Sequence, residues 1–205
     1  MLCVVTRENR SRHVRELDAM HRDRKLVFID RLGWKLKALD DGREIDQFDT
    51  DEAVYLIEAE AGRHLASMRL LPSAGPHLLS EVFPHLCAGP VPRGRDIFEA
   101  TRLCTTPAAE KDEARRLRGL VWLGALQYAF AHGIRKITGV THARFLQQIL
   151  ASGLDIEPLG LPQMHEGALI GAHIVHITPD DLRRQRARLA DLGKATGPAL
   201  AEAAQ

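Results

Sequence analysis

Short apolar runs and longer stretches with helical spacing alternate along the chain. The short runs are bounded by turn residues and predict strands over 2–6, 54–57, 64–71, 96–104, 136–140 and 168–177. Apolar residues three and four positions apart predict helices over 9–29, 110–132, 143–151 and 180–192. Gly62 predicts a hairpin turn, and residues 72–95, rich in proline and glycine, predict mostly loop.

This order of elements predicts a single domain of the α/β (α+β) class, with helices packed on both faces of a mixed sheet. A length of 205 residues suits one ordinary domain. We place the domain at residues 1–192. The alanine-rich residues 193–205 are expected to form a flexible tail.

The charge balance narrows the possible functions. Lys and Arg total 28 and Asp and Glu total 27, so the formal net charge is +1. Proteins that bind nucleic acid by general electrostatic attraction usually carry a strong excess of basic residues, so we expect no nucleic-acid partner.

No apolar run reaches the roughly 18–20 residues that span a bilayer, and the first residues do not resemble a secretion signal. Cys3, Cys87 and Cys104 are odd in number and widely spaced, which is typical of reduced thiols in a cytoplasmic protein.

Common motifs for metal binding and hydrolysis do not occur in the sequence. It contains no HExxH, CxxC or GxSxG string. His173 and His176 form the closest histidine pair, but residues three apart in a strand point to opposite faces. We therefore predict no metal site.

The predicted helix 110–132 carries an arginine-rich segment near its start. Arg116 and Gly119 match part of the R/Q-x-x-G-x-G/A turn of GNAT acetyltransferases, whose amides hold a pyrophosphate at a helix start. Val121 replaces the last small residue of that motif. The alternative interpretation is a basic first turn on an exposed helix.

Charged residues also stand inside predicted strands, where they are seldom buried unless paired. Strand alternation places Glu99 and Thr101 on one face and Arg102 on the other. If all three serve one site, we expect a bulge or a strand end there. The alternative for these residues and for Arg69 is a structural ion pair between strands.

An acidic loop follows a pair of aromatic residues in the sequence. Asp46 and Asp49 belong to this loop, and Phe28 and Trp34 precede it. Ring faces beside carboxylates suit a cationic ligand. The alternative is an aromatic core edge next to a solvated loop.

The combination of these residues resembles the signature set of the LuxI family, the acyl-homoserine-lactone synthases that make quorum-sensing signals. The matching positions keep the family's order and approximate spacing and are Arg24, Phe28, Trp34, Asp46, Asp49, Arg69, Phe83, Glu99 and Arg102. The local strings DQFD, RLLP and EATR also resemble those of the family, and the resemblance covers roughly residues 3–177.

The resemblance implies a GNAT-like fold and a reaction between S-adenosylmethionine and an acyl thioester, with no further cofactor. It assigns the catalytic roles to Glu99, as the base, and to Arg69 and Arg102. It assigns S-adenosylmethionine binding to Arg24, Phe28, Trp34, Asp46 and Asp49. It assigns the acyl pocket to Phe83, Thr101, Thr138 and Phe145. The implied partners are an acyl carrier protein or acyl-CoA as donor and a LuxR-type receptor for the product.

Two other functions stay open at the level of sequence. One is a different GNAT-type N-acyltransferase that uses acyl-CoA and another amine. The other is a binding module that keeps the fold without catalysis. Arg144 is the only charged residue of the predicted helix 143–151, where some family members carry basic residues that dock the carrier protein. This difference leaves coenzyme A thioesters open as donors.

Overall fold

A computed structural model describes residues 1–150 and 153–191. The strands of this part are β1 Leu2–Val5, β2 Val54–Glu60, β3 Arg63–Pro72, β4 Ile97–Thr105, β5 Lys136–His142, β6 Asp155–Pro158, β7 Gln163–His165 and β8 Ala168–His176. The α-helices are α1 Val14–Arg24, α2 Leu78–Glu81, α3 Lys111–Ala131, α4 Ala143–Leu150 and α5 Pro179–Asp191. No helix in these residues is long and apolar enough to span a membrane.

The strands form one mixed sheet in the order β1-β2-β3-β4-β5-β8-β6, with β7 paired to β8. Neighbouring strands are antiparallel except β4 and β5, which run parallel. The β4–β5 ladder ends at the pair Ala100 and Gly139, although both strands continue. The two strands therefore separate beyond this pair and leave a cleft at one end of the sheet.

Each face of the sheet carries its own apolar core. Leu117, Leu120 and Val121 of α3 pack on one face, and α5 lies on α3 through Leu189. Met20 of α1 packs on the other face, in a cluster with alternate residues of β2 such as Tyr55. The prediction of a mixed sheet with helices on both faces is confirmed.

The structure differs from the sequence prediction in three places. The helix predicted over 9–29 consists of a 3₁₀ turn Arg10–Arg12, then α1, then a π-helix Lys25–Arg31. The segment 72–95 contains α2 and a second 3₁₀ turn, Pro84–Leu86. The strands β6 and β7 are short and largely exposed, so their apolar pattern is too weak to show in the sequence.

The predicted ends of two helices and the predicted tail lie outside the described residues. They comprise residue 151, residue 192 and the segment 193–205. The domain boundary at residue 192 stays a prediction.

Candidate active site

The loop of residues 32–53 lies against β3 and β4 on the face of the sheet that carries α1. Three arginines from three elements reach it: Arg24 from α1, Arg69 from β3 and Arg102 from β4. Three carboxylates of the loop meet them: Glu44, Asp46 and Asp49. We call these six residues the arginine–carboxylate network. Its positive and negative charges are equal in number.

Arg24 joins the helix to both ends of the acidic segment. Its Nε donates to Oε2 of Glu44 at 2.5 Å. Its two terminal nitrogens donate to the two oxygens of Asp49 at 2.8 and 2.9 Å. Such paired geometry makes the strongest class of charge-assisted hydrogen bond. The Arg24 side chain is completely buried, so these contacts replace its hydration shell.

Arg69 and Arg102 connect the same loop to the sheet. Arg69 binds Asp46 through two nitrogens at 2.6 and 3.0 Å, and its Nε donates to the hydroxyl of Thr101 at 3.0 Å. One nitrogen of Arg102 donates to Asp46 at 2.7 Å and to Glu44 at 3.0 Å. Thr101, predicted for the acyl pocket, thus contacts the network through its hydroxyl.

A bulge in β4 brings Arg102 to this face. Ser67 pairs with Cys104 and Arg69 pairs with Thr101, so β4 has one more residue than β3 between these two pairs. Arg102 has a φ of 52°, in the left-handed region that non-glycine residues seldom adopt. This local backbone conformation reverses the alternation of side chains that a regular strand would impose. The structure therefore contains the bulge that a shared site requires.

The network strongly favours the ionised form of Asp49. Burial alone would raise the pKa of Asp49, but hydrogen bonds from Arg24 and the charges of Arg24 and Arg69 hold it well below its usual range. The Tyr55 hydroxyl donates to Asp49 at 2.8 Å, and burial and that carboxylate raise the pKa of Tyr55. The three arginines and three carboxylates are thus paired with one another.

An aromatic pair lies at the edge of the network. The rings of Phe28 and Trp34 stack with centroids 4.7 Å apart and an interplanar angle of 15°. The Arg102 guanidinium lies 5.7 Å from the centroid of Phe28. Phe28 is buried in the π-helix, whereas Trp34 is only half-buried, so an indole face is accessible beside charged groups. Such a face attracts cations.

Glu99 lies on β4 directly opposite Thr138 of β5, one residue before the point where these strands separate. Its carboxylate oxygens accept hydrogen bonds from the backbone amides of Leu78 and Leu79, at 2.7 and 2.8 Å. Glu99 is completely buried. Burial raises the pKa of Glu99 to about 7, although the two amides and the charges of Arg69 and Arg102 act in the opposite direction. A carboxyl group with such a pKa can exchange a proton near neutral pH.

The other predicted acyl-pocket residues are distributed over both faces of the sheet. Thr138 is buried on the Glu99 face, and its hydroxyl lies 3.4 Å from the carbonyl oxygen of Phe98. Phe83 packs on the same face and meets the ring of His165 edge-on, at 4.9 Å.

Phe145 lies on α4, which packs against the opposite face of the sheet. A Cβ at Gly171 would meet the Leu146 side chain of α4, whereas the adjacent Ala172 points into the core that contains Phe83. A pocket that includes both Phe83 and Phe145 must therefore cross the sheet through the cleft between β4 and β5.

The arginine-rich segment that matches the GNAT motif has a different role in the structure. α3 begins at Lys111, so Arg116 and Gly119 lie in its interior, and Gly119 packs against Leu189 of α5. The interpretation of this segment as a phosphate-binding turn at a helix start is therefore wrong. Within the described residues, no group of three or more histidine, cysteine, aspartate or glutamate side chains is arranged to hold a metal ion.

Glu44 and the amides of residues 78 and 79 are site groups that were not predicted from the sequence. Glu44 is almost completely buried, and it binds both Arg24 and Arg102. The sequence feature that could have indicated Glu44 is its position in the acidic loop, two residues before Asp46. The two amides leave no sequence signal, because every residue except proline carries a backbone N–H group.

The fold has the architecture of the N-acetyltransferases. A chain assigned as an N-acetyltransferase from Lactobacillus plantarum matches this structure with a TM-score of 0.58 at 14% identity, over 86% of this chain and 99% of that one. At that identity the match shows the fold alone. The sequence model of the autoinducer synthase family matches residues 8–186. The chain belongs to the autoinducer synthase family, and it is an acyltransferase that makes an acyl-homoserine lactone.

Individual relatives agree with this assignment. The isovaleryl-homoserine lactone synthase of Bradyrhizobium diazoefficiens is 30% identical over 90% of this chain and 81% of its own. An acyl-homoserine-lactone synthase of Rhizobium etli is 30% identical over 97% of this chain and 94% of its own.

Two solved structures of synthases are also similar. The CoA-dependent synthase MesI has a TM-score of 0.83 at 32% identity, over 93% of this chain and 95% of that chain. The CoA-dependent synthase BjaI, solved with S-adenosylmethionine and isopentyl-CoA, has a TM-score of 0.86 at 27% identity. The match covers 96% of this chain and 90% of that chain.

Proposed function

We propose that this chain transfers an acyl group from a thioester to the amine of S-adenosylmethionine and then closes the lactone. The amine nitrogen attacks the thioester carbonyl, an amide bond forms and a thiol leaves. The methionyl carboxylate next attacks the γ-carbon and breaks its bond to sulfur, so that methylthioadenosine leaves. The observation that carries the proposal is Glu99, a buried carboxylate held by two amides beside the arginine–carboxylate network.

Glu99 is the proposed base of the first step. An α-amine has a pKa of about 7.7–8.0, so most of it is protonated at neutral pH and cannot attack. The raised pKa of Glu99, about 7, allows its carboxylate to take this proton and later to return one to the leaving thiolate. The second step needs no base, since a sulfonium is already a good leaving group. That step depends on the positioning of the carboxylate and the γ-carbon.

The remaining predicted residues divide between two proposed sites. Trp34 offers a ring face to the sulfonium, with Phe28 stacked against it. Asp49 holds Arg24, and Asp46 holds Arg69 and Arg102, so the loop is kept in place around the ligand. Arg69 and Arg102 anchor the acidic loop to the sheet beside Glu99. The acyl chain is proposed to lie along Phe83 and Thr138 and to reach Phe145 through the cleft between β4 and β5.

The proposed acyl donor is a coenzyme A thioester. Both MesI and BjaI are described as CoA-dependent synthases, and Arg144 is the only charged residue of α4. A carrier-protein thioester is the second candidate. We further propose that the reaction takes place in the cytoplasm and that a LuxR-type receptor detects the product.

Mass spectrometry of the reaction products tests this function. The protein is incubated with S-adenosylmethionine and straight, 3-oxo or unsaturated acyl groups, each supplied on coenzyme A and on an acyl carrier protein. We expect equal amounts of acyl-homoserine lactone and methylthioadenosine, with the coenzyme A thioester as the better donor. Products formed from another amine in the absence of S-adenosylmethionine would instead support a different N-acyltransferase.

The rate should depend on pH through Glu99. Only the ionised carboxylate acts as a base, so kcat/KM for the acylation should rise with pH through about 7 and level off above it. The measurement is kcat/KM at a series of pH values for the wild type and Glu99→Gln. The variant should lose the change near pH 7 in its remaining activity. An unchanged profile in Glu99→Gln would assign that titration to another group.

A further inference from the structure

Three side chains outside the proposed active site form a chain of hydrogen bonds between α1 and β3, in which His64 and Ser67 are buried and Asp23 is partly exposed. Nδ1 of His64 lies 2.8 Å from Oδ2 of Asp23, and Nε2 of His64 lies 2.9 Å from Oγ of Ser67. A carboxylate can only accept, so Nδ1 donates to Asp23, and Nε2 forms a hydrogen bond with the Ser67 hydroxyl. None of the three belongs to the set predicted from the sequence.

A second bulge, in β3, makes this arrangement possible. His64 pairs with Ala59 while Ala66 pairs with Glu58, so Leu65 is the extra residue of β3. Residues three apart in a regular strand face opposite sides. The extra residue puts His64 and Ser67 on the same face, in line with Arg69 of the network.

The order Asp, His, Ser is that of a hydrolase triad, but the surroundings do not support hydrolysis. The His64 side chain is completely buried, and Ser67 is only 1% exposed. No substrate can reach the Ser67 hydroxyl in this state. The hydrogen bonds of Asp23, His64 and Ser67 therefore fix α1 relative to β3.

Asp23 and Arg24 are consecutive residues at the end of α1, so their side chains leave the helix about 100° apart. Arg24 ties the helix to the acidic loop, and Asp23 ties it through His64 to the sheet. Two attachments in different directions fix the rotation of the helix about its axis. The π-helix that carries Phe28 begins at the next residue, so the same rotation sets the position of that ring.

We propose that Asp23, His64 and Ser67 form a positioning relay that holds α1 in the rotation required to bind S-adenosylmethionine. The inference rests on the proposed function, because it assumes that Arg24 and Phe28 bind this substrate. None of the three relay residues is proposed to touch the substrate. Loss of the relay should weaken S-adenosylmethionine binding and leave the chemical step largely unchanged.

The test combines calorimetric titration with S-adenosylmethionine, steady-state kinetics and thermal melting. His64→Leu and Asp23→Ala should raise both Kd and KM for S-adenosylmethionine about tenfold, with kcat within about threefold of the wild type. Ser67→Ala loses one hydrogen bond and is expected to fold, and its Kd should rise roughly two- to tenfold. Asp23→Asn keeps an oxygen acceptor for His64 and should restore near wild-type Kd.

Asp18→Ala is the matched control, since Asp18 lies on the same helix and pairs at the surface with Arg22 and Arg43. Its Kd should equal that of the wild type. Folded relay variants with an unchanged Kd and a lower melting temperature would overturn the proposal, because the three residues would then only stabilise the fold. If the wild type binds S-adenosylmethionine but makes no lactone, the proposed function is contradicted and the relay proposal is not. The Kd values of the variants would still test the relay.

Discussion

Glu99→Gln is expected to lower the rate of acyl-homoserine lactone formation by about 10²–10⁴-fold, the usual contribution of a general base. The side chain keeps its size, so the buried position opposite Thr138 stays filled. The amide cannot accept the amine proton. It also presents an N–H group to one of the two backbone amides that now donate to the carboxylate. Acylation should fail, and because the lactone forms from the acylated intermediate, methylthioadenosine release should fall with it.

The products are measured by mass spectrometry, and S-adenosylmethionine binding is measured by calorimetry on the same preparation. Binding should survive, since Glu99 does not belong to the arginine–carboxylate network. Glu60→Gln is the control, because Glu60 is an exposed carboxylate that pairs with the exposed Arg63. If Glu99→Gln forms lactone at the wild-type rate, Glu99 is not the base, and the proton leaves through another group or through water.

Arg24→Leu is expected to reduce the free energy of unfolding by about 3–5 kcal/mol, the usual cost of removing one partner from a buried ion pair. The substitution leaves Asp49 and Glu44 buried without their main counter-charge. Arg69 still pairs with Asp49 and Arg102 still pairs with Glu44, but the hydrogen bonds that hold the loop to α1 are lost. Activity should be lost together with stability. Chemical denaturation of the wild type and the variant gives the difference in unfolding free energy.

A double variant measures the interaction between Arg24 and Asp49. Arg24→Leu with Asp49→Asn removes one charge of each sign, so its loss of stability should be smaller than the sum of the two single losses. Arg22→Leu is the control on the same helix, since Arg22 is half exposed and pairs with the exposed Asp18. If Arg24→Leu unfolds at the same denaturant concentration as Arg22→Leu, the network contributes little to the stability of the fold.

The main elements could be predicted from sequence because apolar spacing reports burial directly. The strands around Val54–Glu60 and Arg63–Pro72 and the long helix Lys111–Ala131 agree with their predicted runs to within a few residues. Helices that change type carry no such signal. In the π-helix Lys25–Arg31, the Leu32 amide donates to the Val27 carbonyl five residues back, and the apolar spacing of so short a segment does not distinguish this from an α-turn.

The candidate site was predictable in its residue types and not in its geometry. Charged residues within strands, such as Arg69 and Arg102, signal a need for buried partners. Glu44, a partner of Arg102, lies 58 residues from it in the chain, and only the folded loop brings the two together. The bulge in β4 places the Arg102 side chain on the same face as Arg69. It is a change of backbone conformation that no residue type in the sequence indicates.

The sequence by itself determined the mixed sheet, the helices on both faces and the charged and aromatic residues available for chemistry. These properties follow from the local alternation of side chains, which each segment carries on its own. The tertiary structure decided which carboxylate meets which arginine, how two amides hold Glu99, and how Asp23, His64 and Ser67 connect α1 to the sheet. Those contacts join distant segments or use backbone groups common to all residues, so they exist only once the chain is folded.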